Sequence, residues 1–129
     1  MIEEALPARL EAVAAVTNLV GTRIYPVRAP QGATRPFVTV QRISAVREVA
    51  FGVNPGLARP RFQVTAWAAT YAEAKAVQTA VRQALERHRG TTLGVEILDC
   101  FVDNDEDLMD DEVNLFGAAT DFFVHHREA

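Results

Sequence analysis

The sequence predicts a mixed α+β fold, a mostly antiparallel β-sheet packed against two helices, and three observations lead there. Two stretches carry apolar residues at helical spacing, several others alternate β-branched or aromatic residues with polar ones, and clusters of glycine and proline separate them. A chain of 129 residues, 49% apolar and 23% charged, suits one domain spanning 1–129.

From Glu3 to Leu19 the residues Leu6, Leu10, Val13, Val16 and Leu19 recur every three or four positions, which predicts one amphipathic helix. Pro7 is tolerated in the first turn, so the start is placed near Glu4, and Gly21 is a natural stop. A short strand at Ile24-Tyr25 ends at Pro26. Two prolines and Gly32 between Arg28 and Pro36 then predict a long loop.

Phe37 to Val49 reads as a long strand. A turn marked by Gly52, Asn54, Pro55, Gly56 and Pro60 joins it to a second strand, Arg61 to Ala69, on which Phe62, Val64, Ala66 and Ala68 share a face. Thr70-Tyr71-Ala72-Glu73 has the spacing of a capping box, so a helix begins there with Ala74, Val77, Val81, Ala84 and Leu85 inward. His88, Arg89 and Gly90 are expected to close it, placing positive charge at the negative end of the helix dipole. The remainder gives a strand at Val95–Val102, an acidic loop at 103–112, and a last strand from Leu115 to His126 whose end frays. On that last strand Phe116, Ala118, Thr120, Phe122 and Val124 share a side.

The net charge of −4 conceals a polar distribution: −2 over residues 1–20, +8 over 21–91 and −10 over 92–129. Such asymmetry points to surfaces that meet something, and copies could stack positive on negative. Cys100 is the only cysteine, so no intrachain disulfide is available and a reducing site of synthesis fits. The first four residues carry two acids, and the apolar run Val13–Val20 is broken by Thr17 and Asn18, so neither export nor a membrane partner is expected.

Motifs for catalysis are missing: there is no G-x-S-x-G, H-E-x-x-H, Walker loop or G-x-G-x-x-G. Ser44 is the only serine, and it and Cys100 both fall inside predicted strands; the chain is therefore read as non-enzymatic, with no cofactor. The run Asp103-Asn104-Asp105-Glu106-Asp107 suggests calcium, but Leu108 stands where an EF-hand needs glycine and Asn114 where it needs the bidentate glutamate, so a solvated acidic loop is expected. Cys100, His125 and His126 could be imagined as a zinc corner. Adjacent strand residues face opposite ways, and a frayed terminus accounts better for the histidines. Cys100 is expected as a small buried residue and His88 as a helix-terminal cation. Trp67 lies opposite the Phe62/Val64 face, covered either by a helix or by another subunit.

Arg23, Arg28, Arg35, Arg42, Arg47, Arg59 and Arg61 gather at loops and hairpin ends. They could hold nucleic-acid phosphates, or pair with carboxylates across a protein interface, for which the acidic segment supplies partners.

A set of short segments, in order, resembles a known family. They are Ile24-Tyr25-Pro26; Ala29-Pro30-Gln31-Gly32-Ala33 through Pro36; Gln41-Arg42-Ile43-Ser44; Pro60-Arg61-Phe62-Gln63-Val64 with Trp67-Ala68; Tyr71-Ala72-Glu73-Ala74; and Asp121-Phe122 with Val124. Together they resemble the tail-completion or tail-terminator proteins of long-tailed bacteriophages, with relatives in prophages and gene transfer agents. The segment Asp103 to Glu112 departs from that family in being more acidic.

The resemblance implies a tail-terminator-like fold and a structural protein of the virion tail and neck, synthesised in the host cytoplasm. It would form a ring, expected to be a hexamer, on the head-proximal end of the tail tube, ending polymerisation and joining the tail to the head connector. Its partners would be copies of itself, the tail tube protein and a connector or stopper protein, with DNA passing through unbound. Asp103, Asp105, Glu106, Asp107, Asp110, Asp111 and Glu112 are then candidates to line the lumen or touch a neighbouring ring. Arg28, Arg35, Arg47, Arg59, Arg61 and Trp67 are candidates for the subunit interface. The alternatives are a head-completion or stopper ring and, from another class, a nucleic-acid- or metal-binding module.

Overall fold

In a computed structural model the described residues are 1–44, 57–112 and 114–127. Three helices, not two, pack on the sheet: α1 (Ile2–Glu11), α2 (Ala14–Val20) and α3 (Tyr71–Leu85). The expected first helix breaks at Val13, whose backbone is extended. A single helix would have turned Leu19 inward; after the break Val16 and Val20 are fully buried while Leu19 is exposed. The first helix also begins earlier than expected, at Ile2, so Pro7 lies in its second turn.

The strands are β1 (Ile24–Pro26), β2 (Phe37–Ser44), β3 (Leu57–Ala58), β4 (Arg61–Ala68), β5 (Gly90–Thr92), β6 (Val95–Asp110) and β7 (Leu115–Arg127). They form one sheet in the order β1-β2-β4-β7-β6-β5, and β3 pairs with the end of β7. The sheet is mixed. Ile24–Pro26 runs parallel to Val38–Val40 because the chain returns through the irregular 27–36 loop instead of a tight hairpin, while the other pairings are antiparallel. The part of the expected long strand beyond Ser44, and Gly52, Asn54, Pro55 and Gly56 of the expected turn, lie outside the described residues.

Alternation along β4 and β7 works as expected. Phe62, Val64, Phe122 and Val124 are buried on one face, against Leu6 and Leu10 of α1 and Val77, Val81 and Leu85 of α3. Helix α3 starts where the capping box places it, with the Glu73 amide donating to Thr70 Oγ1 at 3.2 Å. It ends earlier than expected, at Leu85, and Gly90 opens β5 instead of closing the helix. The turn Leu93-Gly94, both residues at positive φ, joins β5 to β6 as a two-residue hairpin.

The largest correction concerns residues 103–110, which are strand and not loop. The cause lies in β7. Its residues 117–122 are all buried, and buried backbone groups must be paired on both sides. β4 serves one side; only β6 serves the other, through a register running from Ile97↔His126 to Asp110↔Leu115. An unpaired buried backbone group costs about 1–3 kcal/mol, more than the weak strand propensity of aspartate opposes. Among the described residues no helix is long and apolar enough to cross a membrane.

Candidate functional site

Strand pairing divides the acidic run between the two faces of the sheet, and each face meets it with its own partners. Asp105 and Asp107 lie on the helical side. Asp107 accepts from Lys75 Nζ at 2.7 Å and Tyr71 Oη at 3.0 Å, while Asp105 accepts from Thr120 Oγ1 at 2.8 Å and from Arg82 at 3.3 Å. On the other face Asp103 pairs with Arg61 at 3.1 Å, and Glu106 accepts from Gln63 at 3.2 Å. The hydrogen bond from Lys75, then that from Tyr71, holds the Asp107 carboxyl below the usual range; the same contact raises Lys75. Diverging between two faces, these carboxylates do not converge on a cation. Among the described residues no three His, Cys, Asp or Glu side chains come together to hold a metal.

Arg61, a candidate interface residue, is built into the fold. It donates to the buried Asp121 at 2.6 Å and lies 5.8 Å above the Phe123 ring, and its pKa is raised chiefly by the Asp121 bond. Arg59 stacks on the same ring at 5.6 Å. Arg28 and Arg35 lie on the 27–36 loop, and Arg47 falls outside the described residues. Trp67 donates from Nε1 to Thr39 Oγ1 at 3.2 Å. No helix covers it. It lies in an outer trough of about 420 Å³, walled by the 27–35 loop on one side and by Leu108 and Asp110 on the other, with Phe37, Thr39, Gln41, Gln63 and Thr65 along the floor.

Cys100 is buried as expected, and burial pushes its thiol up to about 12, which withholds the thiolate a nucleophile or zinc ligand needs. His126 corrects the expectation of a frayed end: it is buried and paired with Ile97 and Ala58, while His125 faces Phe101 edge-on at 5.3 Å. These histidines are held because β7 lies in the middle of the sheet, paired on both sides. His88 lies three residues beyond the end of α3, not in its last turn. Burial first, and then Arg9, lower its pKa.

The sequence reading missed the partners of the acids. Lys75 and Arg82 stand seven residues apart, two turns along one side of α3, which matches alternate carboxylates on a neighbouring strand. It also missed Asp99, joined by Arg87 at 3.0 Å and Arg89 at 3.1 Å. Burial opposes ionisation of that carboxyl, but the Cys100 amide and the two arginines outweigh it, and its pKa is lowered.

The family model described as "Tail completion protein gp17" matches residues 4–126. No curated protein matches the chain. A chain from the solved structure "Virion of native gene transfer agent (GTA) particle" superposes with a TM-score of 0.73 at 20% identity, over 98% of this chain and 94% of that one, and so shares the fold.

Proposed function

The chain belongs to the family of tail completion protein gp17, and from that premise we propose that it closes the head-proximal end of a tail tube as a ring, expected to be a hexamer. It is a structural protein of the virion tail. In the proposed role it acts as one unit over residues 1–129, stops addition of tube subunits, and offers its free face to the head connector. The observation that carries this reading is the family match over residues 4–126, with a fold to suit.

The job is mechanical. A ring repeats a contact between two unlike patches until the rotation closes, and this chain has unlike patches in its basic and acidic segments. DNA passes the hole without being held when the lining offers no uncompensated cations, and Arg61, Arg82, Lys75, Arg87 and Arg89 are each occupied by carboxylates of the same chain. The same pairing weakens the lumen role of Asp103, Asp105 and Asp107, whose charge is largely neutralised locally; contact between copies is the role retained for the acidic segment.

The test is reconstitution. Purified chain mixed with its tail tube protein should give tubes of limited length, each bearing a ring at one end by negative-stain microscopy. Rings that bind isolated connectors and ignore tube ends would assign the stopper role instead. A chain that neither forms rings nor alters tube length would overturn the reading.

A further inference from the structure

The order of strands sends the two unlike charge segments to opposite edges of the sheet. Residues 21–44, which form β1 and β2, contain four arginines and no acid; residues 98–112, which include most of β6, contain eight acids and no base. Beyond β5 the outer side of β6 is unpaired among the described residues. β5 covers Val95–Ile97, and the Arg87 amide donates to the Cys100 carbonyl at 2.6 Å, but from Phe101 to Asp110 the outer side has no strand partner among the described residues. An edge of that length invites indiscriminate pairing unless charge restricts what can approach.

Half of those eight acids are paired within the chain: Asp99, Asp103, Asp105 and Asp107. The other four, Glu106, Asp110, Asp111 and Glu112, have no ion-pair partner among the described residues. On the β1–β2 side Arg42 is ion-paired with Glu3 and Arg23 donates to the Pro36 carbonyl at 2.8 Å, while Arg28, on the 27–36 loop, has no ion-pair partner among the described residues. Each edge also exposes apolar side chains amid the charge, Phe101 and Met109 on β6, Val27 and Ile43 beside β1 and β2. Apolar contacts rimmed by complementary charge are the anatomy of a specific interface.

We propose that the acidic β6 edge of one copy docks on the basic β1–β2 edge of the next, so that the subunit contact runs from sheet edge to sheet edge. The inference rests on the ring reading above and supplies its contact. Acid against acid and base against base repel, which excludes a two-fold dimer through either edge and leaves the head-to-tail arrangement that closes a ring.

Charge reversal tests this in a way that supplies its own control for folding. One variant carries Asp111→Lys and Glu112→Lys, sparing Asp110, which lines the trough opposite the 27–35 loop; the other carries Arg28→Glu. Each alone should need more than about tenfold higher concentration than the wild type to assemble, read by sedimentation velocity and negative stain. Mixed in equal amounts, they should recover rings with alternating subunits, since each presents to the other the charge it no longer presents to itself. Circular dichroism checks that each variant keeps the native fold before assembly is read. Rings from either variant alone as readily as from wild type, or no recovery on mixing natively folded variants, would overturn the contact and leave the ring reading standing. A wild type that stays monomeric even on tube ends would overturn the ring reading itself.

Discussion

Gly117 offers a sharp test of the packing that shapes the outer trough. It sits in β7 opposite Trp67, and a Cβ built there would lie 2.8 Å from Trp67 Cζ3, 3.1 Å from Trp67 Cε3 and 3.1 Å from Leu108 Cβ. Carbon atoms rest comfortably at about 3.5–4.0 Å, so Gly117→Ala forces a displacement of roughly 0.7 Å or more. The indole cannot yield freely, because its Nε1 is hydrogen-bonded to Thr39. Overpacking of this kind costs about 1–3 kcal/mol, and the entropic advantage of alanine over glycine in a strand returns about 0.5–1 kcal/mol. The expected net loss is about 1–2 kcal/mol, readable as a lower urea midpoint with an unchanged slope by circular dichroism. Trp67→Leu removes both clashing ring atoms and leaves only the Leu108 Cβ contact at 3.1 Å, so Gly117→Ala made in that background should cost distinctly less, and the coupling between the two sites should account for most of the loss. A Gly117→Ala protein as stable as wild type, or an equal loss in both backgrounds, would refute the reasoning.

Three further outcomes are expected. Thr70→Ala, which removes the acceptor for the Glu73 amide, should lower stability by about 1 kcal/mol, with Thr70→Ser close to wild type in the same urea titration. Cys100, buried with a thiol pushed up to about 12, should react with a thiol reagent at pH 8 no faster than the chain opens, and immediately in denaturant; prompt reaction of the native protein would contradict the burial. His88 has a folded pKa below its ordinary value, so the unfolded chain takes the proton first: its contribution is fully present above about pH 6.5 and is lost as pH falls below that. His88→Gln should flatten the decline in urea midpoint between pH 7 and pH 5, and parallel declines in the two proteins would remove His88 as its source.

What could be read from the sequence is what local signals determine. The Thr70 cap, the inward face of α3 and the alternation along β4 and β7 each follow from a few neighbouring residues, and each stands in the structure. The break at Val13 does not, because Leu10, Val13 and Val16 fit one continuous helical stripe, and only the core decides that Val20 and not Leu19 turns inward. Likewise the strand at 103–110 has no local signature: a period of two is invisible when residues on both faces are charged. The contrast that reveals it comes from Lys75 and Arg82 on one side and Arg61 and Gln63 on the other, residues far away in the chain.

That distant pairing changes what the charge pattern means. A count of −10 over residues 92–129 suggests a uniformly repulsive surface, yet Asp99, Asp103, Asp105, Asp107 and Asp121 are answered by cations of the same chain, so much of the imbalance is internal to the fold. Exposed pairs of this sort add little stability singly. Their effect is to fix where the remaining charge appears: Asp110, Asp111 and Glu112, which have no ion-pair partner among the described residues, are concentrated at one end of an edge strand, and Arg28, which has none among them either, lies on the 27–36 loop. A chain with its acids scattered at random over the surface could approach its copies in many orientations. One with its surplus confined to opposite edges has a favoured direction of approach, which is what a subunit needs if it is to add head to tail and close.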